Sequence, residues 1–103
     1  MKIISSQRYL DYDIVAQKMA ELESEAATEV IIEIIDAGMQ DLDGNDLYIM
    51  DNGHHTKEAG ECLGIEVKYE EIKNHYNTYG EDLLRAAWID SDWYYVDNGY
   101  MVW

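Results

Sequence analysis

The sequence predicts an α+β fold, with N-terminal helices packed on a small C-terminal antiparallel β-hairpin or sheet. Three observations predict it. Apolar residues recur at helical steps of three and four through the first third of the chain. At the end, Trp93-Tyr94-Tyr95-Val96 and Tyr100-Met101-Val102-Trp103 flank Asp97-Asn98-Gly99, and Asn-Gly is the preferred two-residue type I′ turn. Hydrophobic residues make up 48% of 103, enough for one modest core and too many for a disordered chain, so 1–103 reads as a single acidic domain.

Lys2 to Ser5 reads as a short strand, followed by candidate helix caps at Ser5 and Ser6. From Asp11 onward Tyr12, Val15, Met19, Leu22 and Ala26 define one apolar helical face. Val30, Ile31, Ile34 and Ile35 supply a second apolar set, and Ala37-Gly38 a C-terminal stop. This stretch reads as one long helix over 11–37 or as two that break near Ser24. The β-branched cluster Val30–Ile35 also suits a strand, but Glu29, Glu33 and Asp36 fit helical spacing better. Met39 to Asn45 is an acidic loop with a turn at Asp43-Gly44. Leu47 to Met50 is a short strand, and Asp51-Asn52-Gly53 turns the chain. Thr56 to Leu63 is a short helix that Gly64 ends, and Ile65 to Lys68 is extended or loop. The spacing of Tyr69, Ile72, Tyr76 and Tyr79 predicts a helix over 69–79, with Gly80 interrupting it before Leu83, Leu84 and Ala87. Trp88 to Asp90 adds a strand before the closing hairpin.

Charge is distributed unevenly. From Met19 to Thr56 there are ten carboxylates and no lysine or arginine; residues 1–18 carry net +1, residues 57–103 net −6, and the whole chain −15. Such a domain repels itself and is drawn to cationic surfaces, including those of proteins that grip DNA. It argues against direct binding to nucleic acid or to anionic lipid. On a helix Glu21, Glu25, Glu29 and Glu33 are spaced by four, with Asp36 three further on, a ladder climbing about 6 Å per step. DNA carries one charge per about 1.7 Å of axis. Imitation of DNA therefore needs the loop acids Asp41, Asp43, Asp46 and Asp51 too, and calls for a second copy of the chain. The bland alternative is a solvated helix face, but solubility alone normally intersperses both signs.

Other chemistry is poorly supplied. His54-His55 lies near Asp51 and Glu58, yet zinc wants closely spaced Cys/His pairs, and Cys62 stands alone. Asp41-Leu42-Asp43-Gly44-Asn45-Asp46 fails the calcium-loop register, because Gly44 falls at the fourth position and Asn52 at the twelfth. No metal or cofactor is expected. Cys62 with His75 is a weak nucleophile–base pair, and no phosphate-binding glycine loop or nucleophile elbow appears, so no catalytic residue is assigned. One cysteine, no N-terminal apolar run and no apolar stretch of membrane-spanning length point to a cytoplasmic protein, in a host cell if phage-encoded. Trp88, Trp93, Tyr94, Tyr95, Tyr100 and Trp103 read as core on one face and interface on part of the other.

Leu63-Gly64-Ile65-Glu66-Val67, Tyr79-Gly80-Glu81-Asp82-Leu83 and Asn98-Gly99-Tyr100 resemble the C-terminal part of the ArdA antirestriction family over roughly 62–103. That family shows a Leu-Gly-x-Glu-Val-like step, a helix ending in Tyr-Gly-x-Asp-Leu, and a terminal strand pair with a glycine turn. The usual proline after the Glu-Val step is missing, and the chain is much shorter than typical members. The resemblance implies an elongated acidic dimer that mimics DNA and blocks a type I restriction–modification complex, with Glu66, Glu70, Glu71, Glu81 and Asp82 on the mimic surface. A phage or mobile-element origin follows from that role. A small acidic anti-CRISPR protein that blocks a cationic nucleic-acid channel is the alternative. An acidic protein without mimicry, or a metal-binding module, completes the set.

Overall fold

Along Glu29–Gln40 buried Val30, Ile32 and Ile34 alternate with exposed Ile31 and Glu33. That period of two makes a strand, and the computed structural model, which describes residues 1–103, shows one there. The elements are β1 (Lys2–Ser5), α1 (Tyr12–Ser24), β2 (Glu29–Gln40), β3 (Asp46–Ile49), α2 (His54–Leu63), β4 (Glu66–Glu71), α3 (Gly80–Ala86) and β5 (Tyr94–Tyr95). The strands form one mixed sheet in the order β4-β2-β3-β1-β5. β2 runs parallel to β4 and antiparallel to β3; β1 runs parallel to β3 and antiparallel to β5.

Of the two readings of 11–37, the break near Ser24 is the one seen, but a strand and not a second helix follows it. Asp11 caps the start of α1 by accepting the Asp13 N–H at 2.9 Å. At the other end Ala26 takes a left-handed conformation (φ 51°). Its N–H reaches the Glu23 carbonyl, and that of Ala27 reaches Leu22, closing the last turn in a Schellman arrangement without a glycine. Gly38 is likewise no helix stop. It sits within β2 at φ 67°, where the register with β3 shifts between Asp36 and Gln40, and the Asp36 side chain accepts its N–H.

The helix expected over 69–79 is also absent. Glu66, Lys68 and Glu70 point out while Val67 and Tyr69 pack inward, so this segment is strand β4, and Tyr79-Gly80 opens α3. Trp88–Asp90 forms no strand; its backbone is tied instead to Ser6, whose Oγ accepts the Ile89 N–H and whose carbonyl accepts the Asp90 N–H. The closing hairpin is shorter than expected. Tyr94 pairs with Met101, the Tyr95 N–H reaches the Tyr100 carbonyl, and the Gly99 N–H reaches back to Tyr95. Four residues therefore span the turn, and only Gly99 among them has positive φ, which rules out type I′.

The sheet, rather than the hairpin, is the base of the fold. On one face Ile32, Ile34 and Met50 form a core with Val67, Tyr69 and Val96, covered by α2. α2 approaches so closely that a Cβ on Gly60 would lie 2.9 Å from Val30 Cγ2. α1 packs on α2. On the other face Ile4, Ile35, Ala37, Leu47 and Ile49 pack with Leu83 and Leu84 of α3 and with Trp93, whose Nε1 donates to the Leu84 carbonyl. No helix is long and apolar enough to cross a membrane.

Candidate partner-binding surface

β2 changes partners along its length. Residues 29–34 pair with β4, and residues 35–40 pair with β3. The face that α3 covers at Ile35 and Ala37 is left open at the other end. There parallel pairing sets Glu29 opposite Glu66, Ile31 opposite Lys68, and Glu33 opposite Glu70, all on one side of the sheet. Neighbouring strands lie about 4.8 Å apart, and same-face residues about 6.6 Å apart along a strand. Four glutamates thus stand as two rungs of a small grid, with Lys68 and the exposed Ile31 between them.

The rungs differ in electrostatics. Lys68 Nζ lies 3.4 Å from a Glu29 carboxylate oxygen and 4.0 Å from one of Glu66, which neutralises part of the first rung. Glu33 and Glu70 have no cationic partner and face each other directly. Like charges directly opposite in a sheet repel.

A second acidic group lies on the opposite face. Asp36 pairs with Tyr48, and Glu71 and Asp46 lie near enough to act on the same phenol. Partial burial first, then Glu71, Asp36 and Asp46, push the Tyr48 hydroxyl above its ordinary pKa. Asp46 also accepts from the Gln40 amide at 2.9 Å.

The remaining expected site residues are dispersed. The single ladder Glu21–Asp36 is broken, because Glu21 belongs to α1, Glu25 to its cap, and Glu29, Glu33 and Asp36 to a strand on which Asp36 faces the other way. Glu21 is 3.9 Å from Lys18. Glu81 and Asp82 on α3 hold Arg85 at 3.6 and 3.3 Å. Asp41 is a structural acid. It accepts from the Asp43 and Asn45 N–H groups, the Asn45 amide and the Tyr95 hydroxyl. Those bonds, led by Asn45, hold its carboxyl down at about 2. Asp51 is mostly buried, accepts the Tyr76 hydroxyl at 2.6 Å and lies 3.8 Å from His75 Nε2. Asp43 is exposed at the tip of the loop of residues 41–45.

The histidines are occupied structurally. His54, buried at the start of α2, places Nε2 2.6 Å from Ser5 Oγ. Burial first, then His55, hold its pKa down at about 4. His55 Nε2 accepts the Asp11 N–H at 3.1 Å. This knot joins β1, the start of α1 and the start of α2, and sequence reasoning missed it. Adjacent histidines between a strand and a helix were the signal for it. No three His, Cys, Asp or Glu side chains converge to hold a metal. Cys62 lies on the surface beside Glu58, and partial loss of solvent first, then the Glu58 carboxylate, raise the thiol pKa. Such a thiol has little thiolate character.

The structure thus gathers Glu29, Glu33, Glu66 and Glu70 into one patch and Asp36, Asp46 and Glu71 into another. It leaves Glu21, Glu25, Asp43, Glu81 and Asp82 apart and turns Asp41 and Asp51 to internal use. Of the three motifs that resemble the antirestriction family, Leu63–Val67 joins α2 to β4, Tyr79–Leu83 opens a helix rather than ending one, and Asn98–Tyr100 lies in the terminal turn. No protein-family model, no curated protein and no solved structure matches the chain.

Proposed function

We propose that the chain is a stoichiometric inhibitor, without chemistry of its own, that occupies the cationic DNA-gripping surface of a host defence enzyme. The reading is carried by the Glu33–Glu70 rung. Two uncompensated carboxylates sit side by side on an uncovered sheet face, an arrangement that costs the free protein and is relieved by a cationic partner. The global charge agrees. Net −15 over a longest dimension of 40 Å is one charge per about 2.7 Å, against about 1.7 Å for a duplex. The two-rung patch alone is sparser. Its four glutamates and one lysine leave net −3 over about 13 Å of strand. The whole surface therefore acts as a polyanion of about two-thirds the linear charge density of a duplex, without an atom-by-atom copy of phosphates.

A type I restriction–modification complex is the target that the short antirestriction motifs suggest, and a CRISPR effector channel is the alternative. The site of action is then the host cytoplasm. The test is competition between the purified chain and a DNA duplex for a type I complex at graded salt. Displacement that weakens steeply with salt is expected. Absence of displacement, or displacement indifferent to salt, overturns the reading.

A further inference from the structure

On the edge of the fold away from the glutamate rungs, an open groove of about 330 Å³ runs between the end of β2 with the loop of residues 41–45 and the last three residues. Met39, Leu47, Tyr95, Val102 and Trp103 contribute to its walls. Its polar lining is Gln40, Asp41 and Asp43, with no lysine or arginine.

Leu42 at its rim is fully exposed, and Met101 is two-thirds exposed. An exposed leucine is unremarkable on a mobile loop, but this loop is fixed. Asp41 accepts four hydrogen bonds, and its own N–H reaches the Asn45 carbonyl at 3.0 Å. Tyr95, the source of one of those bonds, is itself anchored in β5 against β1. The fold therefore holds Leu42 out in one conformation, between two carboxylates and above an apolar floor. The one cation near the walls, Arg85 over the Trp103 ring at 5.7 Å, is itself paired with Glu81 and Asp82. An apolar site with an acidic rim is how a specific contact is marked on a surface.

We infer that this groove receives a segment of a partner protein in which one aliphatic or aromatic side chain is flanked by lysine or arginine. Charge complementarity selects that occupant. The apolar floor takes the anchor, and the exposed Asp43 takes a flanking cation, with the charge of the internally bonded Asp41 adding to the field beside it. A second copy of the chain is disfavoured as occupant, because two molecules of net −15 repel. The inference rests on the proposed binding to a cationic enzyme and adds the point at which that enzyme is gripped by packing rather than by charge alone.

The experiment uses two synthetic peptides of equal length and equal lysine and arginine content, one with a central leucine–tryptophan pair and one with glycine–serine there. Each is titrated into the ¹⁵N-labelled protein. The anchored peptide should bind about tenfold tighter, as burial of one such side chain provides. It should shift the Leu42 and Met101 amides and the Trp103 indole. Changing Leu42→Ser and Met101→Ser together should bring it down to the affinity of the unanchored peptide. Both side chains are exposed, so the core is untouched. Equal affinities for the two peptides, shifts centred on Glu33 and Glu70, or shifts that grow with protein concentration alone overturn the inference. Groove binding without displacement of DNA from a restriction complex overturns the function and leaves the groove standing; displacement without groove binding does the reverse.

Discussion

Ser5 Oγ and His54 Nε2 meet at 2.6 Å in a site that excludes solvent from both residues. Ser5 Oγ already accepts the Gln7 N–H at 3.1 Å, so its own proton is free for the imidazole nitrogen. The contact ties the end of the interior strand β1 to the start of α2. Replacing Ser5 with Ala leaves a buried ring nitrogen unpartnered, at a cost of about 1–3 kcal/mol. The melting temperature should fall by about 5–15 °C. A fall below one degree would show that the knot contributes nothing.

The same pair sets an acid limit. His54 is held neutral, with a folded pKa of about 4, whereas the unfolded chain takes its proton near the ordinary 6.5. Above 6.5 its contribution is complete. As pH falls from 6.5 toward 4 only the unfolded state gains the proton, so stability declines, and below 4 this contribution changes no further. In His54→Gln, denaturant unfolding between pH 4 and 6.5 should show a shallower dependence on pH by up to one proton. Equal slopes in the two proteins would remove His54 from the acid transition.

At the alkaline end Tyr76 and Tyr95 act in the opposite sense. Loss of solvent, then the hydrogen bonds to Asp51 and Asp41, raise both phenols to about 12 from 10. A raised folded pKa gives stability that is complete below 10 and lost as pH rises through 12. Tyr95→Phe should flatten the loss between pH 10 and 12 while leaving the part due to Tyr76. If Tyr95→Phe unfolds along the same alkaline curve as the parent, its bond to Asp41 is not what raises the phenol.

Ala26 offers a stabilising change. Its φ of 51° costs an L-residue about 1–2 kcal/mol that glycine does not incur, and the side chain is exposed, so nothing packed is lost. Against this stands the greater freedom of glycine in the unfolded chain. Ala26→Gly should raise stability by about 0.5–1 kcal/mol, read as a higher denaturant midpoint with an unchanged slope. A lower midpoint would mean that the helix end rearranges in solution.

The glutamate rung separates stability from binding. Glu33→Gln with Glu70→Gln removes the opposed charges and should raise the melting temperature by a few degrees at low salt, a gain that added salt erases. The same variant should lose affinity for a cationic target. Reduced stability with intact affinity would show that the rung is structural.

The legible and illegible parts of the fold separate on physical grounds. β1, β3 and α2 were readable because their boundaries carry turn chemistry: Gly53 and Gly64 both sit in the left-handed region at the ends of α2. β2 was misread because a spacing of four is even. Glu29 and Glu33 share a face in a helix and in a strand alike, and only Asp36, an odd step away, would have told the two apart. The end of α1 near Ser24 was only one of two readings, because alanine, not glycine, occupies its left-handed position and marks the stop weakly. In β4 the alternation from Glu66 to Glu70 was present, but the spacing of Tyr69, Ile72, Tyr76 and Tyr79 competed with it. The site was legible as composition and not as geometry. Register across β2 and β4, which brings Glu33 to Glu70, is a tertiary property that no local pattern contains.

Strand β1 sits between β3 and β5, so Ile4 lies opposite Ile49 on one side and Tyr95 on the other. A sheet closed by contacts this distant along the chain nucleates slowly, because the entropy of closing the large loop is lost before the pairing is gained. In the β2–α2–β4 unit the paired residues stand 37 apart, Glu29 opposite Glu66, against 91 for Ile4 and Tyr95. Two tempos of assembly follow, with the glutamate rungs in place early and the Leu42 groove completed only when the last residues dock. A ribosome would release the polyanion face before it releases the apolar grip.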